Sequence, residues 1–86
     1  MTDLAAAFDA AVAQSKTLPT RPDNPTLLKL YALYKQATQG DNTEKKPAFS
    51  EIVERAKWEA WSKLKGATAD AARQQYIDLV AALQAA

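Results

Sequence analysis

The chain has 86 residues, 48% of them hydrophobic, and a net charge of +1 from 11 basic and 10 acidic side chains. This length is typical of one small domain. The chain contains neither cysteine nor histidine, which excludes disulfides, thiolate zinc sites and catalytic arrangements built on a histidine base. We therefore expect no catalytic residues and no metal ligands. The balanced charge also argues against a nucleic-acid-binding module, which is usually strongly basic.

Two further features concern the cellular setting. No apolar run approaches the roughly 20 residues of a membrane-spanning helix, and the N-terminus MTDLAAAFDA is acidic rather than signal-like. These features predict a soluble, cytoplasmic protein without stable membrane insertion. Since no apolar stripe remains beyond those assigned below to the core, we expect a monomer.

The first predicted helix runs from about residue 2 to residue 15, with Thr2 or Asp3 as its N-cap. The proline-rich stretch LPTRPDNP, residues 18–25, then interrupts the helical pattern. Side chains at helical spacing share one side of this helix. They are Leu4, Phe8, Ala11, Val12 and Ser15.

The second predicted helix begins at Asp23 or Asn24 as N-cap, with Pro25 at the first helical position. It ends at Gly40, a residue suited to the left-handed conformation that terminates helices. At about 100° per residue, its side chains separate into distinct faces. The predicted core face is Leu30, Leu33 and Ala37, and the face left to water is Lys29, Ala32 and Gln36.

A semi-apolar face of the second helix ends in a cation. Tyr31 and Lys35 are i,i+4 neighbours, close enough to hold one group together. A phenol can stack on a flat ring or donate a hydrogen bond, and a lysine supplies a point charge for a phosphate. Taken alone, this helix favours the ordinary alternative, in which the lysine stem covers half-buried tyrosines. The face also carries Leu27, Leu28 and Thr38, with Tyr34 between it and the core face.

The third predicted helix follows the polar loop GDNTEKKPAF, residues 40–49. Ser50 is the expected N-cap, and the helix ends in the basic segment before Gly66. Trp58 and Trp61 point away from its apolar stripe. We interpret both as packing residues, with cover for a loop or the wall of a ligand site as alternatives. The first turn holds Glu51 and Glu54, and the predicted core stripe is Ile52, Val53, Ala56, Ala60 and Leu64.

Thr68 is the expected N-cap of a fourth helix, with Asp70 in its first turn. Its apolar stripe has helical spacing. No segment of the chain alternates with the period of two that strands require, so the sequence predicts an all-α fold with four helices. The stripe consists of Ala72, Tyr76, Leu79, Val80 and Leu83.

The segments YKQATQGD, residues 34–41, and AKWEAW, residues 56–61, resemble the acyl-CoA-binding protein family. Other landmarks are in register, including Phe8, Lys16 and LKG at residues 64–66. The resemblance covers essentially the whole chain. It implies a skewed four-helix bundle in which residues 1–86 form a single acyl-CoA-binding domain.

The resemblance implies a carrier of medium- to long-chain acyl-CoA thioesters, bound one-to-one, with no further cofactor. Tyr31, Lys35 and Lys57 then correspond to residues that hold the 3′-phosphate of the CoA ribose. Leu27 and Leu28 correspond to apolar positions beside the adenine and the acyl chain. The other positions implied to contact ligand are Lys16 near the phosphates, Tyr34, Tyr76, Val12 and Arg21.

The chain departs from the usual family pattern at three places. Ala48 follows Pro47 where glycine is common, Val53–Arg55 replaces a segment with a glycine–lysine pair, and Lys29 stands where a large apolar residue is often found. These differences leave the preferred chain length open. The rival functions are a helical adaptor that has lost ligand binding, an enzyme acting on acyl-CoA and, more remotely, a nucleic-acid binder.

Overall fold

The computed structural model describes residues 3–85, and these residues form four helices without a strand, which confirms the all-α prediction. Within this range, no helix combines the length and the apolar character needed to cross a membrane. The helices are α1 (Leu4–Ser15), α2 (Asn24–Gln39), α3 (Ile52–Ser62) and α4 (Ala69–Ala85).

Side-chain caps define the beginnings of α1 and α2. The Asp3 carboxylate accepts from two backbone N–H groups of the first turn of α1, at 3.1 and 3.2 Å, while the alternative cap Thr2 lies outside the described residues. Asp23 caps α2, because its carboxylate accepts from the backbone N–H of Thr26 at 2.9 Å. Pro25 is therefore the second helical residue rather than the first.

The last two helices begin differently. Thr68 caps α4 as predicted, accepting from the backbone N–H of Ala71 at 3.1 Å. The prediction of Ser50 as the cap of α3 is wrong, since Glu51 occupies the N-cap position. The backbone N–H of Glu51 donates to Ala48 in a turn, at 2.9 Å, and its carboxylate accepts from the N–H of Ala48 at 3.0 Å. The helix therefore begins one residue later.

Helix α2 occupies the centre of the fold. It packs against α4 and against α3, and α1 packs against α4. The predicted core face of α2 is buried, but the prediction that Ala32 and Gln36 face water is wrong, because they are 2% and 0% exposed. Helix α2 has neighbours on two sides, so a second face is covered. The main core cluster is Phe8, Ala11, Leu30, Leu33, Ala37, Ala72, Tyr76 and Val80.

The first turn of α3 is not part of the core. Ile52 and Val53, predicted as core, are 77% and 64% exposed, whereas Leu64 packs against the core cluster. Among the described helices, α3 contacts only α2. A helix with one neighbour needs only a narrow apolar contact, and the remainder of its apolar stripe stays on the surface.

The two tryptophans hold the loop that joins α2 to α3. Trp61 is 2% exposed, and its indole N–H donates to the carbonyl of Gly40 at 2.9 Å. Trp58 is half-buried, and its indole N–H donates to the carbonyl of Glu44 at 2.8 Å. Packing is therefore confirmed for Trp61, while Trp58 is the loop-covering residue among the alternatives.

A polar junction made by Gln36, Asp41 and the α3–α4 turn ties the end of α2 to that turn. The amide nitrogen of Gln36 donates to Asp41 and to the carbonyl of Ala67, both at 2.8 Å. The Asp41 carboxylate also accepts from the backbone N–H of Gly66 at 2.9 Å. The Gly66 and Gln36 donors hold the pKa of Asp41 below its ordinary value of 3.8, since they favour the charged form.

This junction predicts a specific loss of stability in acid. Because folding lowers the pKa of Asp41, its charged form stabilises the fold above the unfolded pKa, and this contribution is lost as the pH falls through the folded pKa. Asp41→Asn should therefore be less stable than the wild type at neutral pH, and the difference should shrink below about pH 4. Urea unfolding of both proteins from neutral pH to below about pH 4 measures this difference in stability. Asp9→Asn, which changes an exposed carboxylate of α1, is the control, and a pH-independent difference for Asp41→Asn would contradict the assignment.

Candidate ligand-binding site

Two lysine ammonium groups lie close to the ring of Tyr31. Nζ of Lys35 is 5.9 Å from the ring centroid and Nζ of Lys57 is 5.5 Å from it. Lys35 follows Tyr31 by one turn of α2, so local geometry places it, whereas Lys57 comes from α3 and reaches the ring only through the packing of the two helices. The structure thus brings together the three residues that the resemblance implies for the phosphate.

Aromatic rings and a weak ion pair position the two lysines. Nζ of Lys35 lies 5.0 Å from the ring of the buried Trp61, so two rings flank its ammonium group. Lys57 pairs with Glu54 one turn away at 3.8 Å, with both side chains partly exposed. A pair of this kind contributes little. A multiply charged anion can therefore replace Glu54 as the partner of Lys57.

The Tyr31 phenol is a hydrogen-bond donor at neutral pH. Burial raises its pKa above 10.0, and the carboxylates of Glu44 and Glu54 raise it further. The proton consequently stays on the phenol in the physiological range. One phenol and two ammonium groups thus lie around a single ring, and all three can donate hydrogen bonds to the oxygens of a phosphate.

An apolar groove adjoins this cluster of donors. It lies between α2 and α3 and has a volume of about 370 Å³. Leu27 and Leu28 contribute apolar side chains from α2, and Arg21 adds a cation from the linker before it. Tyr31 and Lys57 also line this groove, so it contains five of the residues predicted to contact ligand.

Sequence reasoning missed four further residues of the groove, Asn24 at the start of α2 and three on α3. Ile52, Val53 and Ala56 line it from α3, although all three were predicted as core. The stripe alone carried no signal for this, because the sequence does not show that α3 contacts only one other described helix. The exposure of Ile52 and Val53 is thus explained in part by their place on the wall of a groove.

The other two predicted aromatic residues lie elsewhere. Tyr34 is 41% exposed and stacks on Phe8, with ring centroids 6.0 Å apart. Tyr76 is 4% exposed, packs edge-on against Phe8 at 5.2 Å and donates its hydroxyl proton to Ser15 at 3.0 Å. These contacts make Tyr76 a residue of the core. A ligand contact for either tyrosine stays a prediction.

Lys16 and Val12 are contributed by the end of α1. Lys16 is the exposed C-cap residue of that helix, and Val12 is half-buried against the core cluster. Neither lines the groove between α2 and α3. A role for them in ligand binding therefore also stays a prediction.

Comparison with known proteins assigns the family. A family model described as "Acyl CoA binding protein" matches residues 5–80. The chain belongs to the acyl-CoA-binding protein family. It is 52% identical over 73 residues to acyl-CoA-binding protein homolog 1 of Caenorhabditis elegans, which covers 85% of both chains. The crystal structure of Oryza sativa acyl-CoA-binding protein 2 matches with a TM-score of 0.90 and 37% identity, over 94% of this chain and 90% of the rice chain. The family and its four-helix fold are thereby confirmed.

One relative is an enzyme by name. Enoyl-CoA delta isomerase 2 of Rattus norvegicus is 47% identical over 76 residues, but the match covers 88% of this chain and only 19% of the isomerase. The likeness therefore concerns a small part of that enzyme. Most of this chain therefore corresponds to one short segment of the isomerase, and the rest of the isomerase has no counterpart in the match.

Proposed function

We propose that this protein binds medium- to long-chain acyl-CoA thioesters one-to-one and carries them. The observation that supports the proposal most directly is the adjacency of two chemistries. Donors from Tyr31, Lys35 and Lys57 lie at the edge of an apolar groove. An acyl-CoA has the complementary pair, a polyanionic head and an alkyl tail.

The donor cluster is proposed as the site of the 3′-phosphate of the CoA ribose. Lys35 and Lys57 supply positive charge from two helices. Tyr31, whose ring both ammonium groups approach, supplies a neutral donor. Hydrogen bonds to a charged group contribute about 1.5–3 kcal/mol each. Arg21 in the groove and Lys16 at the end of α1 are proposed to approach the remaining phosphates.

The groove is proposed as the site of the adenine and the acyl chain. Leu27 and Leu28 contribute apolar surface from α2, and the exposed Ile52 and Val53 contribute it from α3. Each buried methylene is worth about 0.8 kcal/mol, so the tail adds more affinity as it lengthens. A ligand tail would also cover apolar side chains that are otherwise in water.

A carrier is preferred to its rivals on specific grounds. An adaptor without ligand does not account for two lysines gathered on one tyrosine ring at the mouth of an apolar groove. The same groove is proposed to shield a thioester rather than to cleave it. We propose that residues 1–86 act as one acyl-CoA-binding domain that works in the cytoplasm. We also propose that it works as a monomer, since residues of a single chain form both parts of the site.

The experiment that tests the function is a calorimetric titration with palmitoyl-CoA. Free CoA and palmitate, titrated separately, are the controls. We expect one-to-one binding of the thioester and much weaker binding of either half, because head and tail contribute together. Failure of the folded protein to bind palmitoyl-CoA would overturn the proposal and favour the adaptor. Release of free CoA during the titration would favour an enzyme.

A further inference from the structure

A second groove lies beside the proposed ligand groove, also between α2 and α3. It has a volume of about 400 Å³. Leu28 and Ala56 line both grooves, so the two cavities meet at these side chains. Both residues are only half-buried, so each keeps some exposed surface.

The lining of the second groove suits an uncharged, apolar occupant. Its apolar lining consists of Pro25, Ala32, Ala60 and Leu64 in addition to Leu28 and Ala56. The charged members, Lys29, Glu59 and Lys63, are exposed. Glu59 is paired with Arg55 at 3.5 Å. The charged side chains are thus open to water, and most of the groove surface is apolar.

We propose that the second groove receives the distal carbons of acyl chains that are too long for the first groove. This inference rests on the proposed function, because an acyl chain that lies along Leu28 and Ala56 already touches the border of the second groove. A longer chain gains more by continuing across this border than by ending in water, since each methylene buried is worth roughly fourfold in affinity. Leu28 and Ala56 would then mark the length at which chains begin to use the second groove.

A substitution that fills the second groove alone tests the proposal. Ala60 lines the second groove but not the first, it is half-buried, and leucine is a good helix former. For Ala60→Leu we expect affinity for arachidoyl-CoA to fall about tenfold or more, the value of two or so methylenes. Affinity for lauroyl-CoA should stay within about twofold. Ala81→Leu, at an exposed position of α4, is the matched control and should change neither.

The outcomes separate this inference from the proposed function. If wild type binds both thioesters and Ala60→Leu weakens them equally or not at all, the second groove does not take the chain end. If wild type binds neither thioester, the proposed function and the inference both fail. Circular dichroism of Ala60→Leu and the control establishes that a loss of affinity does not come from unfolding.

Nuclear magnetic resonance gives a second test without substitution. The chemical shifts of the backbone amides of Ala60 and Lys63 should change when arachidoyl-CoA binds. They should not change when lauroyl-CoA binds, because only the longer chain reaches these residues. Arachidate without CoA is the competing occupant. If arachidate alone produces the same shifts, the groove is an independent fatty-acid site, and the proposal of one continuous path is overturned.

Discussion

Trp61→Ala is expected to lower the free energy of unfolding by about 3–5 kcal/mol, the usual cost of truncating a fully buried tryptophan. Trp61 is 2% exposed, and its indole N–H donates to Gly40 at 2.9 Å. The substitution removes both the packing and the donor for a partly buried carbonyl. Urea unfolding followed by circular dichroism measures the loss, which is a large part of the stability of a small domain.

Trp58→Ala is the matched control for this prediction. Trp58 belongs to the same helix and also bonds to the loop, at the carbonyl of Glu44, but it is only half-buried. We expect its truncation to cost clearly less than that of Trp61. Equal costs would mean that the hydrogen bonds to the loop, and not the burial of Trp61, dominate.

The helices of this protein could be predicted because their signals are local. Asp3, Asp23 and Thr68 cap helices in the structure as their spacing indicates. Gly40 ends α2 with a φ of +79°, a value open to glycine and unfavourable for other residues. Ser50 failed as a cap because Glu51 bonds back to the preceding turn, a competition that residue type alone does not reveal.

Burial on the second face of α2 could not be predicted in this way. Gln36 is polar and lies outside the apolar stripe, yet it is fully buried, and its amide donates to Asp41 in the α2–α3 loop and to the carbonyl of Ala67 in the α3–α4 turn. The position of that turn depends on how four helices pack. Periodicity reports that a face is apolar, and it does not report that a polar residue will find partners from another part of the chain.

The residues of the candidate site also fall into two groups, those that local helix geometry places and those that the packing of helices places. Tyr31 and Lys35 share a face because they are one turn apart, so their proximity follows from the helix alone. Lys57 joins them only through the packing of α3 on α2, and the family resemblance supplied it. The sequence predicts Ile52 and Val53 as core because an apolar stripe has the same pattern whether its side chains are buried in the core or line an open groove.

Lys35→Ala is expected to weaken binding of palmitoyl-CoA by about 1.5–3 kcal/mol, or roughly tenfold to 150-fold. The Lys35 ammonium lies 5.9 Å from the Tyr31 ring and 5.0 Å from the Trp61 ring. It is therefore held in place before the ligand arrives, and the substitution removes a positioned charge. Calorimetry measures the affinity, and circular dichroism should show unchanged helical content. Lys65→Ala, which removes an exposed lysine of the α3–α4 turn, controls for net charge.

The same variant can show which phosphate Lys35 holds. If its partner is the 3′-phosphate, a palmitoyl thioester of 3′-dephospho-CoA should bind the wild type and Lys35→Ala with nearly equal affinity, because the group that distinguishes them is gone. The effects of the substitution and of the missing phosphate are then non-additive, as in a double-mutant cycle. If Lys35→Ala weakens both thioesters to the same extent, the lysine acts on another part of the ligand. Lys57→Ala, measured in the same way, would then identify whether any of the 3′-phosphate contact comes from α3.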